Sequence, residues 1–429
     1  MINYKKKYCF ATSIGIGFSI LGLAGSPLAQ AGSGSLDRNF GNRGIVTTDI
    51  NNVDNVANGV AIQSNSSIVA VGYATLGLNG RRDIAITRHS SSGLLDSAFG
   101  VGGKVITNVL FDANGTGSDD VANAVAIQAD GKIVVAGSVG YFDATLGSAD
   151  YIAVLRYNAN GSLDTTFGTG GVVKSNIGRG TDVVVLNDGK ILVAGSSLNR
   201  YNPNGSLDAT FGTGGIVTLT GTTSSLAVQS DGKIIVGYQA VDGTGTVSGG
   251  LLVRFNSNGS EDTAFTLSIG GEIADLAIQG DGKIVTTGKT FAMTAQGVYA
   301  GYAFFVARHN SDGTRDNTFG VNGAVLSNFG SGDEVPYALS LQADGKILVA
   351  GRVTTQAGKG YDIDAAVARY TSSGSLDSGF GSSGLAVTTG SPTQASAIAV
   401  QADGNIVTAG ASWSTAATGN DFSLLRYLP

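Results

Sequence analysis

Cysteine is nearly absent from this 429-residue chain, with Cys9 the only one. No intramolecular disulfide can form, and Cys-ligated metal sites are excluded. Histidine is almost as scarce: His89 and His309 are the only two. No Ser-His-Asp set or His-rich metal cluster presents itself. Charge is thin, at 14% of residues, and the net charge is −6. Without a basic stripe or a Lys/Arg cluster, neither nucleic acid nor an anionic lipid surface is an expected partner. Beyond the N-terminal segment no apolar run is long enough to span a bilayer. Proline numbers 5 against 66 glycines, and the glycines follow no Gly-X-Y period, which excludes collagen. A hydrophobic content of 42% excludes disorder.

The first 31 residues stand apart. Lys5, Lys6 and Lys7 are followed by an uncharged stretch from Cys9 to Gly25 and by Ala29-Gln30-Ala31. This order predicts a bacterial-type secretory signal peptide over residues 1–31, cut after Ala31. It also predicts an exported protein, periplasmic or extracellular, with residues 32–429 as its mature domain. The apolar core is short and glycine-rich for a membrane anchor, so no insertion is expected after cleavage. Loss of Lys5 to Lys7 leaves 23 basic residues against 32 acidic, a net charge of −9. It also removes Cys9, and with it any thiolate nucleophile.

What is present is repetition. The phrase "GSLDTTFGTGG" at Gly161 to Gly171 recurs in variants whose Phe stands at Phe40, Phe99, Phe167, Phe211, Phe265, Phe319 and Phe380. Between these run "VAIQADGKIVVAG" at Val125 and its relatives, two β-rich runs about an Asp-Gly turn, which signals a hairpin. A third phrase ends in Arg, as in "YIAVLRY" at Tyr151, and a fourth follows the glycines, as in "GIVTT" at Gly44. Four short antiparallel strands per period, seven times, predict an all-β chain folded as a single seven-bladed β-propeller. With "VAIQ" as innermost strand A, "KIVVAG" as B and the Arg strand as C, the last blade lacks its outer strand D. The N-terminal strand at Gly44 to Ile50 supplies it and closes the last blade.

These phrases resemble the delta-60 repeat family, a bacterial exported repeat. The resemblance covers residues 34 to 429 and implies a propeller, but no activity. The fifth phrase, "GSEDTAFTLS", departs from it, with Glu261 for Leu and Thr266 for Gly.

One spacing is constant. Arg88, Arg156, Arg200, Arg254, Arg308 and Arg369 are each followed eight residues on by Asp96, Asp164, Asp208, Asp262, Asp316 and Asp377. Arg426 has no such follower, so Asp37 is its expected partner across the closure. A guanidinium holding a carboxylate in every blade is a packing device rather than seven ligand sites. The Phe three residues after each Asp is expected to fill the space between blades. Turns such as Asn158 to Asp164 read as plain turns rather than calcium loops.

Repeated phrases occupy the A–B and C–D connections, so variable sequence gathers on the face carrying B–C and D–A. Function tends to sit on variable loops of a rigid scaffold. Asp54, Asp119, Asp120, Glu272, Asp333 and Glu334 precede A strands there, and are expected to form a negative funnel at the channel mouth. Asp112, Asn114 and Asp119 outline a weak calcium loop; no other cofactor is indicated. Aromatics in the B–C loops include Tyr73, Tyr141, Phe142, Tyr238, Phe291, Tyr299, Tyr302, Tyr361 and Trp413, with Tyr141, Tyr302 and Trp413 as candidate ligand contacts. The two histidines stand where other blades carry Tyr or Phe, which reads as packing. The expectation is a monomeric, non-catalytic binding propeller for a polysaccharide or surface protein. The alternative is a hydrolase or lyase with acids at the funnel, calcium-dependent or not.

Overall fold

The computed structural model describes residues 32–50, 53–76, 80–109, 119–143, 147–219, 221–241, 247–293, 299–329, 332–357, 360–390, 392–413 and 419–429. The candidate leader, residues 1–31, and the calcium-loop positions Asp112 and Asn114 lie outside them.

Apolar β-branched runs bounded by Gly, Asn and Asp turns form short strands, and these pair into seven four-stranded antiparallel sheets. The blades span 55–107, 120–177, 182–218, 222–269, 272–327, 335–388 and 392–427. The first runs A (Asn55–Ile62), B (Ile68–Leu76), C (Arg81–His89) and D (Lys104–Thr107), each strand beside its sequence neighbour. In the seventh, strand D is Ile45–Thr48, pairing Ile45 with Leu425 and Thr48 with Phe422. The A strands contact one another around a closed ring, so no sheet edge is left at its centre.

The strand runs are apolar on both faces because each blade is covered twice. Ile133 and Val135 pack toward the first blade, Val134 and Ala136 toward the third. Seven such apolar clusters alternate with the blades. The Gly ending "KIVVAG" answers a bulge in strand A: a Cβ on Gly137 would collide with the Val121 carbonyl. In "TFGTGG", Gly168, Gly170 and Gly171 take φ of +54°, +64° and +95°.

Each strand-C arginine stands at a three-way junction. Arg156 Nε donates to Asp164 Oδ2 at 2.7 Å, and Arg200 to Asp208 at the same distance. Arg88, Arg254, Arg308 and Arg369 reach Asp96, Asp262, Asp316 and Asp377 at 2.7–2.9 Å. Arg426 Nη2 meets Asp37 Oδ2 at 2.7 Å across the closure. Each guanidinium lies 4.2–4.7 Å above the ring of its interblade Phe, all seven of which are buried. The remaining arm crosses to the next blade: Arg200 to the Ser257 carbonyl (2.5 Å), Arg308 to that of Ser372 (2.6 Å), Arg426 to that of Ser91. Sequence spacing did not reveal a second cation. The lysine of each Asp-Gly-Lys turn also reaches the aspartate, as Lys132 does Asp164 at 2.9 Å and Lys190 does Asp208 at 2.9 Å. The blades without that lysine, carrying Ser67 and Asn405 there, leave Asp96 and Asp37 to arginine alone.

The junctions set the acid limit of the fold. Burial pushes the Asp316 carboxyl up, but hydrogen bonds from Thr318 and Arg308 outweigh it and bring it down to about 2. Asp164 and Asp208 are likewise held well below the carboxylate range, because Thr166 and Lys132, or Thr210 and Lys190, outweigh the effect of burial. A folded value below the unfolded ~3.9 means stability is present above that pH and lost as pH falls through the folded value. Melting midpoints will drop as pH falls from about 4 to 2, with a shallower drop in Asp316→Asn. At neutral pH, Asp37→Ala leaves Arg426 buried and unpaired at the closure, a loss of about 3–5 kcal/mol. A midpoint equal to wild type would remove the closure from the account.

Candidate functional site

On the face carrying B–C and D–A, each of the six acids is engaged by a neighbouring segment. Asp54 accepts from the Asn420 amide (3.1 Å) and the Tyr73 hydroxyl (2.9 Å). Asp119 accepts from the Arg82 amide (3.0 Å) and pairs with its guanidinium at 3.1 Å. Asp333 accepts from the Tyr302 amide at 3.2 Å. In all three cases a residue before strand A fixes the start of strand C in the preceding blade. The acids that follow are buried: Asp120 accepts from the Val109 amide (2.7 Å) and Glu334 from that of Phe329 (2.5 Å), tying down the incoming D–A loop. Glu272 pairs with Lys289 at 3.2 Å. Among the described residues no group of three acidic, His or Cys side chains is arranged to hold a metal. The turn oxygens of Asn158 to Asp164 bond within the turn, as Ser162 Oγ does to Asn160 Oδ1 at 2.8 Å.

The aromatics divide. Tyr238 is buried. Tyr73 is half-buried under the Arg82 guanidinium, and burial, with its bond to Asp54, pushes its hydroxyl up to about 12. The side chains of Tyr141, Phe142, Tyr299 and Tyr361 lie outside the described residues. Phe291 and Tyr302 stack at 5.5 Å and 27°, with Lys289 Nζ 4.6 Å over the Tyr302 ring. Phe291 is 61% exposed and Trp413, at the end of strand B in the seventh blade, 55%. Both histidines are packed. His89 bonds to the Gly93 carbonyl and Thr87 hydroxyl, each at 3.1 Å, and burial pushes both imidazoles down toward the neutral form.

Sequence reading missed a polar row along the channel strands. Asp182 in strand A of the third blade (Asp182–Val185), Ser225 in that of the fourth (Thr222–Val228) and Asp275 in that of the fifth (Glu272–Ile278) form one bonded row. Ser225 Oγ lies 3.0 Å from Asp182 Oδ2 and 2.7 Å from Asp275 Oδ1. Both carboxylates also accept amides of the next blade, Leu226 (2.8 Å) and Leu339 (2.7 Å). Aligning the repeats would have exposed them, because the other four blades carry Gly59, Ala124, Ala338 and Ala397 at this place.

Six segments, residues 128–167, 186–211, 229–265, 279–319, 342–380 and 401–429, match the model of a family described as "Domain of unknown function (DUF5122) beta-propeller". These segments are repeats of a β-propeller family. In this propeller the first five segments run from the A–B turn to the interblade Phe, so the match covers the Lys–Asp–Arg–Phe junctions. Asp182, Ser225 and Asp275 fall between segments. No curated protein matches the chain. Among solved structures, it resembles a PL25 ulvan lyase described as a new polysaccharide lyase family (14% identity, 88% of this chain and 94% of that one, TM-score 0.46). It also resembles a protein of unknown function from Dyadobacter fermentans (12%, 75% and 97%, TM-score 0.44). An α-L-arabinofuranosidase from Fusarium graminearum is a further match (11%, 86% and 93%, TM-score 0.43). These likenesses carry no argument about its chemistry.

The channel row has a proton inventory. Ser225 has one hydroxyl hydrogen and faces two carboxyl oxygens, so the second contact needs a proton on a carboxyl. Burial, and then the Asp182 charge, push Asp275 up to about 7; burial also raises Asp182. A folded value above the unfolded ~3.9 means the native state holds the extra proton. The row's contribution is therefore present below that pH and lost as pH rises to about 7. Asp275→Asn, which keeps a donor facing Ser225, will flatten the fall of the melting midpoint between pH about 4 and 7. An unchanged slope would show that the proton lies elsewhere.

Proposed function

We propose that this chain is an exported, non-catalytic binding propeller of the delta-60 type, which recognises a polysaccharide through its variable-loop face. Residues 1–31 serve as its signal peptide, and it works as a monomer without a cofactor. One observation carries the reading: the loop face keeps exposed aromatics while its acids are engaged in holding loops. Trp413 on the seventh blade and the Phe291–Tyr302 stack on the fifth offer flat apolar planes suited to sugar rings. Lys289, paired with Glu272 and held over Tyr302, is the cation that an acidic group of a bound glycan would share.

The Asp182–Asp275 pair favours a second reading. Two carboxyls in one channel with unequal proton affinity are the raw material of acid–base cleavage. A glycan array followed by titration separates the two. The binding reading expects saturable binding of an acidic polysaccharide without release of reducing ends, weakened by roughly tenfold in Trp413→Ala. Turnover that disappears in Asp275→Asn supports the enzyme instead. Capture of an envelope protein with no glycan bound would replace the polysaccharide with a protein partner.

A further inference from the structure

The junction between the fourth and fifth blades is built differently from the others. Elsewhere the glycine after the interblade Phe donates its amide to the next blade's C–D turn, as Gly168 does to Asn204 (2.8 Å) and Gly320 to Ser373 (2.8 Å). In the fourth blade strand D is Glu261–Ile269, and Thr266 and Leu267 continue as strand with no glycine loop. At four other junctions the strand-C tyrosine also bonds to strand D of the preceding blade, as Tyr157 does to Thr107 (2.8 Å) and Tyr370 to Ser327 (2.9 Å). Here His309 stands in place of that tyrosine. Ile269 holds the register position of Thr107 and offers no hydroxyl. His309 is 5% exposed, and its Nδ1 is buried with no hydrogen-bond partner.

The result is a groove of about 390 Å³ on the propeller's flank, within the size range of small-molecule sites. Ile269, Phe305 and Leu326 form its apolar wall, with Phe291 at the loop-face end. Leu326 is 66% exposed. Arg315 lies at the other end, in the C–D connection. Five of the other phrases carry leucine at that position: Leu36, Leu95, Leu163, Leu207 and Leu376. Arg315 makes no ion pair among the described residues, whereas the exposed Arg82 pairs with Asp119. A cation has been placed where the repeat calls for an aliphatic side chain, beside an uncovered apolar wall.

We propose that this groove binds a small organic carboxylate with an apolar body, its tail along Ile269, Phe305 and Leu326 and its carboxylate on the Arg315 guanidinium. A planar guanidinium suits two carboxylate oxygens, and His309 lines the groove beside it. A single cation and a long apolar wall favour a monoanion with a chain over a phosphate. The site is separate from the loop-face aromatics around Trp413.

Calorimetric titration with decanoate and with its uncharged amide tests this. The expected result is saturable one-to-one binding of decanoate, weaker by roughly tenfold for the amide and for Arg315→Leu. Arg315→Leu restores the residue of the other blades, so its melting midpoint serves as the folding control. Leu326→Glu will abolish binding, and Trp413→Ala will leave it unchanged, which separates this site from the Trp413 plane. Absent saturation, equal affinity for acid and amide, or equal affinity in Arg315→Leu would overturn the proposal.

Discussion

The arginine at the end of each C strand is the interaction on which the rest depends. It holds its own C–D turn through an aspartate, covers the Phe that fills the interblade space, and reaches into the next blade. A propeller has no continuous hydrogen-bonded sheet from blade to blade, so adjacent blades are joined by side chains, apolar contact and single turn-to-turn hydrogen bonds. One residue in each blade therefore does three things: it fixes a turn, seals a cluster and sets the angle to the next sheet. The charge is tolerable there because Asp, ring face and carbonyl surround it.

Those junctions explain how much of the fold was legible. Arg156 and Asp164 stand at a fixed spacing because turn length is fixed by the bond between them. The Val-Ala-Gly ending of strand B is legible too, because only glycine admits the bulged A-strand carbonyl. Position along the chain did not reveal which way a side chain faces. Asp120 and Glu334 precede A strands, as channel-lining residues do, yet both turn into the incoming loop and are buried. Asp182 and Asp275 sit one residue past the bulge, on the channel side, inside runs that read as ordinary strand. Lys132 looked like a turn residue, and its reach to Asp164 depends on the C–D turn folding back beside the A–B turn. Composition identified Phe291 and Trp413 as aromatic, but only the fold shows them exposed.

The molecule thus separates its work by face. One side is nearly invariant and mechanical. The other is tied down by acids that bridge neighbouring blades and leaves aromatics at its rim. The channel row lies between them, where three polar residues replace the small side chains of the other four blades. The ring is chemically lopsided there, with blades three to six sharing hydrogen bonds across the bore.

The closing strand gives the chain a clasp whose halves are far apart in sequence. Most junctions join residues eight apart and can form as soon as a blade's turn exists. The Arg426–Asp37 bond joins residues 389 apart. By polymer arithmetic, bringing those ends together from an open chain costs about 3 kcal/mol more in entropy than closing an eight-residue turn. Six blades assembled in order shorten that search by carrying one end around to the other. The ring then has a seam, and its last strand pair is both the last structure to form and the natural first place for it to reopen.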